Sequence, residues 1–147
     1  MEVIILDGCS LSGKTTLRNI LYKEYSSSLL VIDRFTPSNW VYDYLRGNNR
    51  KREIIKFEGI FDLIFRPILF ILFTSSESSI KREIKRRNST KEIHNDKIFD
   101  IHNELLAFDK YYNEICQYKD KSRIDTSNIS VDECLSLIKG VIDGRGI

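Results

Sequence analysis

Apolar residues in this chain fall into two alternating patterns, short unbroken runs and longer stretches repeating every three or four positions. "VIIL" (3–6), "LLVID" (29–33) and "ILFILF" (68–73) are runs of the first kind, as expected of strands buried on both faces. The stretches between them read as helices. "KTTLRNILYKEY" sets Leu17, Ile20, Leu21 and Tyr25 at helical spacing, and "PSNWVYDYLR" begins on Pro37, which suits a first helical turn. "EIIKFEGIFDLIF" (53–65) is a further amphipathic stretch. "SESSIKREIKRR" opens on serine with an early acid and closes on bases, in accord with the helix dipole. The segment 97–118 puts Ile98, Ile101, Leu105, Phe108, Tyr112 and Ile115 on one stripe, which predicts the longest helix. "RIDTS" (123–127) reads as a short last strand, and Ser130 with Glu133 forms a capping-box pattern before the final helix. Strand and helix alternate, so the expectation is an α/β fold with a small parallel sheet and helices on both faces. In such sheets ligands bind beyond the carboxyl ends of the strands, where Gly8, Asp33, Thr74 and Thr126 fall.

Composition narrows the class. A chain of 147 residues with 41% hydrophobic content fits a single domain over 1–147. The most apolar run, Ile64 to Phe73, is broken by Arg66 and Pro67 and is far below the roughly 20 residues of a spanning helix. The start "MEVIILDG" has no basic segment of the secretory kind. A soluble, cytoplasmic protein is expected. Net charge is +2, which argues against general nucleic-acid coating, although bases clump at "RGNNRKR" (46–52) and "KREIKRR" (81–87). Such clumps are most often solvated helix faces. The cysteines Cys9, Cys116 and Cys134 show no metal-ligand spacing and read as reduced thiols.

The chemistry enters at residues 8–15. Gly8, Cys9, Ser10, Leu11, Ser12, Gly13, Lys14 and Thr15 match G-x-x-x-x-G-K-[ST] in full, between a predicted strand and a predicted helix. In that pattern backbone N–H groups curl around a triphosphate and the helix directs its positive end at the same point. Lys14 would reach the β- and γ-phosphates, and the Thr15 hydroxyl would ligate Mg²⁺, with Thr16 next to it. ATP and Mg²⁺ are therefore the expected cofactors. The second strand ends in Asp33-Arg34-Phe35, close to this loop if the first two strands are neighbours. An acid there can hold Mg²⁺ through water or orient an attacking oxygen, and a guanidinium beside it can clamp a second phosphate. The bland reading is an ordinary surface Asp–Arg pair.

"DRFTPSNWVYDYL" followed by "FRPILFILF" resembles the thymidylate kinases, with their D-R-[YFH] motif and R-P-D-L strand. "SSESSIKREIKRRN" is similar to the family's R-x-x-x-R helix, matched by Arg82 and Arg86, and "IDTSNISVDECLSLIKGVI" to its I-D-A-S loop and last helix. The resemblance is collinear over most of the chain and implies a three-layer P-loop kinase fold with a short lid around 86–97. It implies that Arg34 and Phe35 bind the acceptor monophosphate and that Asp33 supports metal and acceptor geometry. Arg86 and the loop Thr126, Ser127 and Asn128 would border the ATP. Residues 9–12 carry no arginine, so the transition-state cation would come from Arg82, Arg86, Arg87 or Lys91. The implied reaction is phosphoryl transfer from MgATP to a nucleoside monophosphate, dTMP first, by a homodimer joined through 38–64.

The chain departs from the family's pattern in four places. It is short, with no room between Tyr25 and Leu29 for the T-R-E-P-G-like loop. Ile68 stands where that pattern has Asp, Arg87 where Gly often follows, and "NSTKEIHND" (88–96) lacks D-R-x-E. Rival expectations are a kinase of nucleosides or of a polynucleotide 5′ end, and a nucleotide-binding regulatory module without turnover. Among smaller signals, Trp40, Tyr42 and Tyr44 are core aromatics or base-stacking groups. Arg66 approaches the acceptor phosphate or caps a helix. Cys9 at a helix N-terminus would be a reactive thiol. His94 and His102 have no ligand partners in the sequence pattern.

Overall fold

The computed structural model describes residues 2–9, 14–25, 28–94 and 100–145, with the backbone alone at 86, 87 and 89–94. Four strands, β1 (Glu2–Gly8), β2 (Leu29–Asp33), β3 (Ile68–Phe73) and β4 (Asp120–Asp125), form one parallel sheet in the order β2-β1-β3-β4. The helices are α1 (Lys14–Tyr25), α2 (Thr36–Leu45), α3 (Lys51–Phe65), α4 (Glu77–His94), α5 (Ile101–Lys110) and α6 (Val131–Asp143). The chain is thus a three-layer α/β fold, as the alternation of patterns predicts.

Both faces of the central strands are covered, which explains their unbroken apolar runs. Ile4 and Leu6 of β1 and Phe70 and Leu72 of β3 pack with Leu17 and Leu21 of α1 and Ile138 and Ile142 of α6. The alternate residues Ile5, Leu69 and Ile71 pack on the other side with Trp40, Val41, Ile54, Phe108 and Tyr111. Each such fully buried aliphatic side chain contributes about 1.5–3 kcal/mol relative to exposure. The predicted capping box is present at α6: Glu133 N–H donates to Ser130 Oγ at 3.1 Å, and Ser130 N–H to Glu133 Oε1 at 3.4 Å.

Several boundaries differ from the expectations. β4 begins three residues early, at Asp120, because it pairs with the whole of β3, Ile68 with Asp120 through Phe73 with Asp125. An edge strand reading "DKSRID" has no hydrophobic run to betray it. The helix expected to end near Arg87 continues to His94, so part of the expected lid is helical. No glycine or proline interrupts "RRNSTKEIH". The long helix expected over 97–118 starts at Ile101, where the Asp100 side chain accepts from His102 N–H at 2.8 Å. It then widens into π-helical turns over Tyr111–Ile115.

The amphipathic order of α3 is inverted. It buries Ile54, Glu58 and Asp62, while Phe57, Ile60, Leu63 and Ile64 are 48–74% exposed. The buried Glu58 carboxylate is fully engaged: Oε2 accepts from the Thr36 and Tyr111 hydroxyls, both at 2.5 Å, and Oε1 from Gln117 N–H at 3.0 Å. Thr36 also shares a 2.7 Å hydrogen bond with the buried Tyr118 hydroxyl. Most buried polar groups are partnered in this way, since an unpaired one costs desolvation energy.

Candidate active site at the carboxyl edge of the sheet

β1 and β2 are neighbours, with Leu6 opposite Asp33, so Gly8 and Asp33-Arg34 lie at one edge of the sheet. Gly8 has φ +126°, and a Cβ there would meet the Leu72 carbonyl oxygen at 2.0 Å. Its glycine requirement therefore comes from packing against β3 as well as from any phosphate loop. Residues Ser10, Leu11, Ser12 and Gly13 lie outside the described residues.

The organising group is Asp7, which the sequence reading overlooked. It is fully buried. Oδ1 accepts from Gly8 N–H at 2.8 Å and from the Ser38 hydroxyl; Oδ2 accepts from Phe35 N–H at 3.0 Å and Ser38 N–H at 2.9 Å. Phe35 stands at the N-cap of α2 without a capping side chain, and Asp7 supplies that cap from the neighbouring strand. One carboxylate thus joins the end of β1 to the loop after β2. Burial pushes its pKa above the ordinary value, while the bond from Ser38 and the charge of Lys14 oppose the shift. The available signal was an acid closing an apolar strand immediately before a glycine turn, "VIILDG".

Lys14 opens α1, is buried, and donates from Nζ to the Gly8 carbonyl at 2.5 Å. Burial holds its pKa below the ordinary lysine value; Asp7 opposes this, Arg34 adds to it, and Asp33 opposes it again. Lys14 therefore lies within reach of the charges of Asp7, Arg34 and Asp33. Asp33 pairs with Arg18, Nη1 to Oδ2 3.6 Å, and its Oδ1 is buried with no hydrogen-bond partner among the described residues. Such an orphaned carboxylate oxygen fits a position waiting for a cation or a polar ligand. Thr15 and Thr16 are exposed in the first turn of α1. Arg34 has φ +58°, a left-handed conformation costing about 1–2 kcal/mol for a non-glycine residue. Its N–H donates to the Leu6 carbonyl at 3.1 Å, tying this turn to β1.

Two clefts flank the edge. One, of about 310 Å³, brings together Leu17, Thr74, Arg82, Thr126, Ser127 and Cys134. Ser127 Oγ receives Ser75 N–H at 2.7 Å and shares a 2.7 Å bond with Thr74, which fixes the loop after β4 to the loop after β3. Burial raises the Asp125 pKa, but bonds from Ser127 and Ser75 outweigh this and leave the carboxyl below its ordinary value. Asn128 is exposed on the same loop. The second cleft, of about 340 Å³, joins Arg34 and Phe35 to Asn39, Arg50, Glu53 and Phe57. Asn39 and Glu53 carried no signal beyond being polar residues on amphipathic helices.

Several expectations are corrected. Arg66 cannot serve an acceptor site at this edge, because it precedes β3 and so lies at the opposite end of the sheet. Ile68 pairs with Ile4 and Leu72 with Gly8, which puts Arg66 about 20 Å away along the strand direction. Arg66 instead ends α3 in a left-handed turn (φ +45°), and its carbonyl accepts from Arg145 Nη1 at 2.8 Å. Cys9 is not at a helix N-terminus: it is fully buried just after β1, with Sγ 3.7 Å from Glu104 Oε2, so it is shielded from alkylation. Trp40 is core and stacks on Tyr44 at 4.8 Å, and Tyr42 meets Phe108 edge-on, leaving Phe35 as the aromatic beside Arg34. Arg82 is exposed, bonded to Ser79 Oγ at 3.2 Å. The side chains of Arg86, Arg87, Lys91 and His94 lie outside the described residues, as do lid residues 95–97. Among the described residues no helix is long and apolar enough to cross a membrane, and no group of three or more His, Cys, Asp or Glu forms a metal cluster.

Comparison with models of known protein families gives no match for this chain, and comparison with curated proteins gives none either.

Proposed function

We propose that the chain is an ATP-dependent phosphotransferase that moves the γ-phosphoryl group of MgATP onto a nucleoside monophosphate, as its resemblance to thymidylate kinases implies. The observation that carries this reading is geometric: two cations are tied to the carboxyl end of β1, Lys14 by Nζ to the Gly8 carbonyl at 2.5 Å and Arg34 by its N–H to the Leu6 carbonyl at 3.1 Å, the two residues that flank Asp7 in the chain. Phosphoryl transfer is chiefly a matter of alignment and charge neutralisation, and it needs a cation on the donor and a cation on the acceptor. Lys14 would leave the Gly8 carbonyl to bind the β- and γ-phosphates. Arg34, held in a strained turn, would clamp the acceptor phosphate. An acceptor oxygen then attacks the γ-phosphorus, the bond to the β–γ bridging oxygen breaks, and ADP leaves. Thr15 and the Asp33 oxygen that has no partner among the described residues would hold Mg²⁺, which when bound neutralises phosphate charge. Arg82 would add positive charge on the donor side, joined by Arg86 and Arg87 of the same helix. The cleft at Arg82, Thr126 and Ser127 would take the adenine.

The outward apolar face of α3 supports the second part of the reading, a homodimer joined through 38–64.

The test is an acceptor screen. MgATP is supplied with each monophosphate, each nucleoside and a 5′-hydroxyl oligonucleotide, and ADP release is followed. A monophosphate-dependent signal that Lys14→Ala reduces at least 100-fold is expected, since an oriented charge in such a site contributes about 3 kcal/mol. ATP binding without ADP release across the whole panel would instead establish a silent nucleotide-binding module.

A further inference from the structure

The cleft beside Arg34 bears on which base the acceptor carries, and the inference here rests on the phosphotransferase reading above. Its wall is aromatic, with Phe35 and Phe57 meeting edge-on at a centroid distance of 5.8 Å. Three of its polar side chains, Arg34, Asn39 and Glu53, have no side-chain hydrogen bond or ion pair among the described residues. Arg50 also lines the cleft, but its guanidinium is engaged by Asp43 at 3.1 Å. A cleft of this size, apolar on one wall and carrying a few convergent polar groups, is the usual form of a small-molecule site.

With Arg34 assigned to phosphate, Asn39 and Glu53 are left to face the base. A carboxylate can only accept hydrogen bonds, whereas a carboxamide offers a donor side and an acceptor side. An exocyclic amino group satisfies a carboxylate directly, as in the pairing of acidic side chains with the amino group of cytosine. Thymine and uracil have no amino group. Their single ring N–H lies between two carbonyl oxygens, so a carboxylate approaching it sets lone pairs against lone pairs. We propose that the acceptor site selects a nucleoside monophosphate whose base bears an exocyclic amino group, with Glu53 as the discriminating acceptor and Asn39 as its partner. The family resemblance points to dTMP; the donors and acceptors of this cleft point away from it. Cytosine, adenine and guanine share the amino group, and the arms of the experiment separate them.

The probe is equilibrium binding by calorimetry of dCMP, AMP, dGMP, dTMP and UMP to the full chain without ATP, repeated on Glu53→Gln. At least one amino-bearing monophosphate is expected to bind about tenfold or more tightly than dTMP and UMP, the order of discrimination of one good base-edge contact. Glu53 is exposed, so the variant should fold. In Glu53→Gln that ratio should fall at least about fivefold, because a carboxamide can turn a donor toward a thymine carbonyl. Equal or tighter binding of dTMP, a ratio unchanged in the variant, or no binding of any monophosphate would each overturn the proposal. ADP release measured beside it keeps the two readings apart. Amino-base binding with no turnover ends the phosphotransferase reading and leaves the selectivity, whereas turnover that prefers dTMP does the reverse.

Discussion

Asp7 carries two jobs with one carboxylate. Its four hydrogen bonds satisfy three backbone amides and the Ser38 hydroxyl, so it caps α2 and ties the end of β1 to the loop after β2. A carboxamide cannot replace it: Asn at this position accepts through one oxygen and presents N–H groups to donors on the other side. Asp7→Asn is expected to cost about 3 kcal/mol of stability, from two buried donors left without acceptors. In chemical denaturation the midpoint should fall with an unchanged slope. If the phosphotransferase reading holds, the variant should also raise the KM for ATP and for the acceptor together, because Asp7 ties Gly8, at the donor side, to Phe35 and Ser38, at the acceptor side. At this scale the G-x-x-x-x-G-K-[ST] pattern was visible in the sequence because it is contiguous. Asp7, Arg18, Asn39 and Glu53 were not, because what makes each of them matter is a partner or a cleft built from distant parts of the chain. Arg66 failed for a different reason: it precedes β3, and in a parallel sheet a residue before a strand lies at the amino edge, away from a site at the carboxyl edge.

Among the elements, α3 shows how far a helix can depart from its amphipathic pattern when its polar residues find partners. Glu58 sits where an aliphatic residue would be expected and is held by Thr36, Tyr111 and Gln117. Burial raises its pKa above the ordinary 4.5, against the lowering effect of the bonds from Thr36, Tyr111 and Gln117. The folded chain therefore holds this proton more tightly than the unfolded one. The resulting stability is fully present below about pH 4.5 and is lost as pH rises through the raised value. Asp7, also raised, acts with the same sign. Glu58→Gln imitates the protonated side chain, since its amide can donate to the hydroxyls of Thr36 and Tyr111. Thermal unfolding between pH 4 and 8 should show a shallower decline in the variant than in the native chain; identical slopes would contradict this account. The helices were legible from their spacing, but the inversion of α3 was not, because apolar periodicity locates a stripe without saying which way it faces. The early start of β4 was hidden for a related reason, its partner rather than its own composition deciding its length.

Across the whole molecule, the order β2-β1-β3-β4 brings the loops after all four strands to one edge, and that edge holds both clefts. The outer arc of α3, with Phe57, Ile60, Leu63 and Ile64, runs on from the Arg34 cleft, which Phe57 also lines. If two copies pair through it, Leu63→Glu should shift sedimentation from dimer to monomer and weaken self-association at least tenfold, since a charge would be buried without a partner. A native chain that sediments as a monomer at high micromolar concentration would rule this interface out. The sequence by itself determined the α/β class and most of the helices, because each of these is written in neighbouring residues as a spacing. The tertiary structure alone decided that Asp7 joins the end of β1 to the loop after β2 and that Glu53 and Asn39 share a cleft with Arg34. Those facts depend on register and strand order, which arise from contacts between residues far apart in the chain and leave no local trace in it.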